Sequence, residues 1–330
     1  MASARLILAP MEGLADDVLR EVLTSTGAYD WCVTEFVRVT GTVLPHSLYL
    51  RMSPELKQGS KTASGTVTHV QLLGSDPDMM AKSAAHLAKL KPGAIDLNFG
   101  CPAPLVNRHR GGAALLGEPE LLHAIVSAVR AAVPADIPVT AKMRLGIDDT
   151  SRALECALAL ETAGADSLVV HARTKADGYK PPARWEWLAR IREQLKLPLI
   201  ANGEVWTLQD YFDIRSVSGC DDVMLGRGAV GDPLLATRIR TVLAGKEAPH
   251  SAQDWIELQG LIARFWWLVN RKLSPQHTPG RLKQWLGLMR RNYVEADALY
   301  LALRPLRHAD DITPVLRQHG IVVTEERVAA

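Results

Sequence analysis

Cysteine is scarce in this chain. Cys32, Cys101, Cys156 and Cys220 are scattered over 330 positions, with no CxxC pair and no metal-ligand spacing. That pattern excludes a cysteine-based zinc cluster and gives no disulfide framework, so neither a metal nor a disulfide is expected. Long apolar runs are missing too. No stretch reaches the ~18 apolar residues of a membrane span, and the apolar part of "MASARLILAPMEG" is too short for a secretory signal core. A cytoplasmic monomer without membrane contact is the expectation. Low-complexity tracts are absent, and with 47% hydrophobic and 22% charged residues the composition is that of a folded domain rather than a disordered one.

What the chain does contain is alternation. Strand-like apolar runs recur as "RLILAP", "WCVTEFV", "TVTHVQLLG", "AIDLNFG", "PVTAKMRLG", "SLVVHAR", "LPLIANG" and "DDVMLGRG". Most are followed by an amphipathic stretch, at 76–91, 118–133, 150–164, 185–195, 207–217 and 231–243. Eight β-then-α units predict an α/β fold, a (β/α)8 TIM barrel over residues 1–245. Such barrels build their sites at the C-terminal ends of the strands. There the sequence places Pro10, Met11 and Glu12; Glu35 and Arg38; Gln71; Asn98 and Cys101; Lys142 and Arg144; His171 and Arg173; Asn202, Gly203 and Glu204; and Gly226, Arg227 and Gly228. Any one of these could be a structural strand-end group, but eight sets in register favour a site.

From about residue 246 to 330 the strand signal stops. "AQDWIELQGLIARFWWLVN", "PGRLKQWLGLMRRNY" and "VEADALYLALR" predict a small all-helical C-terminal domain. Residues 261–307 carry nine Lys/Arg against Glu295 and Asp297, while the whole chain has a net charge of only +2. Segregation of this size favours a polyanionic partner over a merely solvated face. Leu282, Trp285, Leu286 and Met289 form an inward stripe that leaves Lys283 and Arg290 on one flank, where they could track a phosphate backbone.

"GRGAVG", residues 226–231, fits the dinucleotide motif GxGxxG, yet no second parallel strand ending in an acidic residue follows it. At the end of an eighth barrel strand, Gly203, Gly226 and Gly228 suit either a monophosphate site with Arg227 or a pair of tight turns. A phosphate at that rim leaves room for a ring system over the mouth. Lys142 and Arg144 alternate on one side of their strand and point there together, and a flavin fits between them and Pro10-Met11. Three cysteines read as small core residues. Cys101 differs: "NFGCPAPLVNRHRGGAALL" sets it between a strand and a basic, glycine-broken loop.

Taken in order, "APMEG", "HVQLLG", "DLNFGCP" followed by V, GG and ALL, "AKMRLG", "VVHART", "IANGEV" and "VMLGRGA" resemble the tRNA-dihydrouridine synthase family along nearly the whole chain. "TEFVRV" and "GRLKQWLGLMRRNY" are most similar to the branch that modifies uridine 16. The resemblance implies an oxidoreductase with bound FMN, NADPH as electron donor, and tRNA as the partner whose uridine is reduced across C5–C6. It implies FMN contact for Pro10, Met11, Glu12, Gln71, Lys142, His171, Asn202, Gly203, Glu204, Gly226 and Arg227. It implies tRNA contact for Arg38, Asn98, Arg144, Tyr179, Arg281, Lys283 and Arg304. Cys101 becomes the general acid that protonates C5, Asn98 holds the base edge, and Arg144 stabilises the enolate oxygen. Arg108, His109 and Arg110 are placed to grip the RNA backbone. Leu288 departs from the family where a polar or aromatic RNA contact is expected, and "NRHRGG" is more basic than the usual loop. The competing readings are a flavin oxidoreductase of a free pyrimidine or other small molecule, and a tRNA-binding protein without catalysis.

Overall fold

The computed structural model describes residues 4–323; residues 1–3 and 324–330, with the end of the expected helical domain, lie outside the described residues. Nine strands are assigned: β1 (Leu6–Leu8), β2 (Trp31–Val33), β3 (Val37–Arg38), β4 (Val67–Leu73), β5 (Ala94–Phe99), β6 (Val139–Arg144), β7 (Ser167–His171), β8 (Leu199–Asn202) and β9 (Val223–Leu225). Every pairing between them is parallel, and β1 bonds β9 on one side and β2 on the other. Because β2 also pairs with β4, the sheet closes into a barrel of eight staves.

The second stave differs from the expected continuous strand. Between β2 and β3 the chain advances from Val33, opposite His69, to Val37, opposite Leu72, which is one residue more than its partner. That inserted residue is a bulge. The Thr34 hydroxyl accepts the Gln71 N–H at 3.0 Å in place of a ladder carbonyl. The break brings Glu35 and Phe36 to the wall of the barrel mouth.

Strand alternation divides the core. Leu6 and Leu8 pack outward into the large cluster shared with the helices, whereas Ile7 joins Val33, Val169, Ile200 and Met224 in a separate small cluster. The intervening helices fall where the amphipathic stretches predict them, as Pro77–Ala88, Pro119–Ala132, Ala153–Thr162, Glu186–Gln194 and Leu208–Ser218. The expected 231–243 stretch is split into a short turn of helix, Arg227–Gly231, and Leu235–Leu243.

Helices Ala252–Lys272, Thr278–Met289 and Val294–Leu303 match the three anticipated, and a fourth, Ala309–Gln318, was not anticipated. It buries Ile312 and Leu316, four residues apart, but carries Pro314 in its interior, which argues against a helix when the sequence is read alone. These helices dock on the barrel through the core and through buried polar groups. Trp285 is 1% exposed, packs on Phe265 and donates its indole N–H to the Val230 carbonyl at 3.1 Å. Tyr293 donates to Asp232 at 2.6 Å, and Arg238 bridges Asp232, Tyr293 and Asp254.

A charged seam completes the junction. Arg264 pairs with Glu21, Lys272 with Asp17, and Arg281 with Asp16 at 3.0 Å, so three cations of the basic segment meet acids of the barrel helix Asp17–Thr24 and its N-cap. The excess positive charge read from residues 261–307 is therefore partly matched within the protein.

Candidate active site

A cavity of about 620 Å³ opens at the C-terminal ends of the strands. All eleven residues expected to touch the cofactor line it: Pro10, Met11 and Glu12 after β1, Gln71 on β4, Lys142 on β6, His171 at the end of β7, Asn202, Gly203 and Glu204 at β8, and Gly226 and Arg227 after β9. Cys101, Asn98, Arg144 and Tyr179 line the same space. Arg38, Arg281, Lys283 and Arg304 do not. Arg38 ends β3 half-buried, and Arg281 is bonded to the carbonyls of Gly13 and Leu14. Lys283, expected to face outward with Arg290, donates to the carbonyls of Arg304 and Leu306 beyond the helix Val294–Leu303, and Arg290 pairs with Asp297 at 2.5 Å. Arg304 caps that helix and is exposed. Arg108, His109 and Arg110 are exposed after a short helix, Pro104–Arg108, and Arg110 pairs with Glu118.

Cys101 is seated by the backbone around it. Its N–H donates to Asn98 Oδ1 at 2.9 Å, and its carbonyl accepts from Ala113 N and from Asn107 Nδ2. The second glycine of the loop makes this possible: Gly112 has φ +60°, and a Cβ there would lie 2.7 Å from the Cys101 oxygen. Cys101 is 8% exposed and packs beside Leu73, Val106 and Phe36. Burial pushes its pKa up, aided by Glu12 and opposed by a backbone donor at Ala103 and by Arg144 and Lys142, so it holds its proton at neutral pH. The other three cysteines are buried, free thiols.

Cations dominate the neighbouring strand ends. Lys142 is lowered to about 8 by burial and by Arg144, with Asp96 in opposition, and its ammonium has no hydrogen-bond partner among the described residues. Arg144 is fixed by the carbonyls of Gly100, Thr174 and Gly178, under the ring of Tyr179. Burial and the charges of Lys142, Arg144, Arg173 and Arg227 drive His171 well below its usual range, so the ring is neutral. Arg173 lies 3.3 Å from His171 Nε2, and because a guanidinium only donates, Nε2 is the acceptor and Nδ1 carries the hydrogen. Arg173 also pairs with Glu204, which holds a left-handed φ of +63° at the rim.

The phosphate-site reading of the glycines is refined at one position. A Cβ on Gly228 would meet the Val205 carbonyl at 1.9 Å, so this glycine is required by the close approach of the short helix Arg227–Gly231 to the loop at Val205, whatever binds beside it.

Several lining residues escaped the sequence reading. Glu35 was noted but Phe36 was not, because the bulge that exposes it is not written in the pattern. Trp206 stands one residue past "IANGEV", with Arg227 and Arg291 over its ring at 5.2 and 4.2 Å, and a smaller cavity of about 420 Å³ beside it is bordered by Tyr179, Leu288 and Arg291. Leu288, the departure from the family pattern, thus lies at a cavity wall. Among the described residues there is no group of three His, Cys, Asp or Glu side chains that could hold a metal ion, and no helix is long and apolar enough to cross a membrane.

This arrangement can hold an anionic group near Arg227 and an electron-rich edge near Lys142, and can deliver a proton from Cys101 into the same space. Comparison with known proteins points the same way. The profile of the family described as Dihydrouridine synthase matches residues 7–277. The chain is 55% identical to a tRNA-dihydrouridine(16) synthase of Ralstonia nicotianae, covering 96% of each chain. It is 54% identical to the protein of that name from Aquipseudomonas alcaligenes, over 94% of this chain and 98% of the relative. Among solved structures, a 2-naphthoyl-CoA reductase aligns with a TM-score of 0.53 at 14% identity, over 73% of this chain and 50% of that one. Histamine dehydrogenase from Rhizobium sp. 4-9 aligns with a TM-score of 0.53 at 14% identity, over 73% and 46%. The structural likenesses show the barrel fold alone. With the family profile spanning most of the chain and relatives above half identity over nearly all of it, the chain belongs to the dihydrouridine synthase family.

Proposed function

We propose that this protein reduces the C5–C6 double bond of uridine 16 in the D-loop of tRNA to 5,6-dihydrouridine, using tightly bound FMN and NADPH as electron donor, and that it acts in the cytoplasm as a monomer. The observation that carries the reading is the pairing, in one cavity, of a half-buried ammonium without a partner among the described residues, Lys142, with a buried thiol that keeps its proton, Cys101.

The residues present fit FMN. Lys142 would face the electron-rich N1/C2 side of the ring system, Pro10 and Met11 would wall one face, and Arg227 with Gly203 and Gly226 would hold the phosphate. Bound FMN supplies a hydride to C6 of the base. The remaining work belongs to the protein. Cys101 gives its Sγ proton to C5 and is reprotonated from solvent, which completes the addition of two hydrogens. Arg144, immobilised by three carbonyls, lies on the same wall to stabilise negative charge on the base oxygen. Tyr179, 53% exposed at the rim and flanked by Arg144 and Arg227, offers a stacking surface to a base that has left the RNA fold. Arg38, Asn98, Arg281, Lys283 and Arg304 complete the tRNA contacts, joined by the cationic loop at Arg108 and by Arg291.

The test is to incubate unmodified tRNA with the protein, FMN and NADPH and to map dihydrouridine by nucleoside-resolved mass spectrometry. Dihydrouridine confined to position 16 is the expected result. Modification elsewhere overturns the positional assignment. Reduction of the flavin by NADPH with every tRNA left unmodified replaces this reading with an oxidoreductase of a free pyrimidine or other small molecule.

A further inference from the structure

Behind the cavity, Gln71, Asp96 and Thr140 stand side by side across β4, β5 and β6, and Asn98 lies two residues beyond Asp96 on the same face. All four are buried, and Asp96 is 2% exposed. Their hydrogen bonds form one chain whose direction is fixed from its outer end. Asn98 Oδ1 accepts the N–H groups of Gly100 and Cys101, both at 2.9 Å, and backbone amides can only donate. Asn98 Nδ2 must therefore face Gln71 Oε1, at 2.7 Å, and Gln71 Nε2 must face Asp96 Oδ2, at 2.7 Å. The chain has to end on an acceptor. Asp96 is that acceptor, and its second oxygen takes the Thr140 hydroxyl at 2.6 Å.

One hydrogen on Asn98 Nδ2 has no partner among the described residues, and Asn98 lines the cavity. The Asn98 oxygen is occupied twice over. We propose that Asp96 is a positioning residue: it closes an Asp96–Gln71–Asn98 chain of fixed sense, so that Asn98 offers the substrate base an N–H and never its carbonyl. The edge read there must then be a hydrogen-bond acceptor, such as a carbonyl of uracil; the amino group that cytosine carries at C4 is refused. The same chain holds the amides that seat Cys101. This rests on the reading that a pyrimidine base enters the cavity, but the chain itself can be tested without catalysis.

The experiment reverses the chain. Asn98→Asp sets a carboxylate oxygen against Gln71 Oε1, and turning the Gln71 amide over moves the clash to Asp96, so the single variant either keeps an acceptor–acceptor contact or must protonate one of two buried carboxyls, and both cost stability. Asp96→Asn in that background supplies a donor at 96, so the chain can run the other way, from 96 through Gln71 to the new carboxylate at 98. Melting temperatures are measured for the wild type, both single variants and the double variant. NADPH-dependent bleaching of the flavin and its reoxidation by unmodified tRNA are followed separately in single turnovers.

Asn98→Asp is expected to lower Tm by about 4 °C or more, and the double variant to regain at least half of that loss. If Asn98→Asp alone does not fold, a folded double variant is the same rescue. Reoxidation by tRNA should stay at least about 100-fold slow in the rescued double variant, because an acceptor now faces the base, and should be slowed at least about tenfold more than bleaching by NADPH. A merely structural role for Asp96 would restore both half-reactions together. Additive losses of Tm, a double variant that fails to fold, or tRNA reoxidation that recovers along with Tm each overturn the proposal. Failure of the functional reading would look different: wild-type protein would make no dihydrouridine, and the rescue of Tm would persist.

Discussion

Replacing Cys101 by alanine separates the two halves of the proposed reaction. The thiol is buried among Leu73, Val106 and Phe36, so losing its sulfur leaves a small void costing about 1 kcal/mol, too little to unfold a protein of this size. Its effect on chemistry should be far larger. A positioned general acid contributes roughly 10²–10⁴-fold, or about 3–5 kcal/mol of barrier. Stopped-flow absorbance should therefore show NADPH bleaching the flavin of Cys101→Ala at near the wild-type rate, with reoxidation by tRNA slowed by about 10²–10⁴-fold. The pH dependence gives an independent check. Burial raises the folded thiol above its ordinary range, so the donating form is present at neutral pH and is lost only as pH rises through that elevated pKa. Wild-type reoxidation should be flat from neutral pH upward and then fall, by about tenfold per pH unit, in a limb that Cys101→Ala lacks. Reoxidation of Cys101→Ala at the wild-type rate, or an identical alkaline limb in both proteins, would refute the assignment of the proton.

Two further perturbations test the walls of the cavity. Lys142 titrates at about 8 in the free protein, so its ammonium is complete below that pH and lost above it; FMN affinity, followed by fluorescence quenching, should weaken above pH 8 by up to about tenfold per unit. Lys142→Met should bind FMN at least about tenfold more weakly at pH 7 and lose this dependence, and a wild-type profile in the variant would exclude the contact. Gly112→Ala forces a side chain into left-handed backbone and against the Cys101 carbonyl, which should cost about 2 kcal/mol or more by thermal denaturation. Because the displaced loop carries Cys101, its tRNA step should slow more than its NADPH step; equal slowing of both would show that the loop does not set the thiol.

The barrel was legible because parallel strands are buried on both faces and read as short apolar runs between glycine and proline punctuation. The bulge in the second stave was not, since Thr34, Glu35 and Phe36 continue the strand-like pattern and only the Gln71 amide shows that Thr34 replaces a ladder carbonyl. The cavity wall was legible wherever a polar residue lies within the last three positions of a strand, as at Gln71, Lys142 and His171. Trp206 and Phe36 fell outside that rule because they lie in the connections, where no periodicity aims a side chain. Asp96 was read as part of a strand, and its role depends on neighbours on two other strands. The positive charge of residues 261–307 was correctly located, but its partners are Asp16, Asp17 and Glu21, more than 200 residues away in sequence. A local charge count has no means of finding them.

That seam has a consequence for how the two parts of the chain depend on one another. Asp16 and Asp17 follow closely on Leu14, which lines the cavity, and with Glu21 they are covered by Arg264, Lys272 and Arg281. A barrel cut free after residue 245 would not be a neutral catalyst merely deprived of a handle. It would uncover Asp16 and Asp17 close behind the Leu14 wall of its mouth, and Glu21 a turn further along the helix, adding negative charge that works against an approaching phosphate. The helices therefore act as a counterion as well as a surface: they turn the rim from one that rejects a nucleic acid into one that tolerates it, before any of their own residues touches RNA.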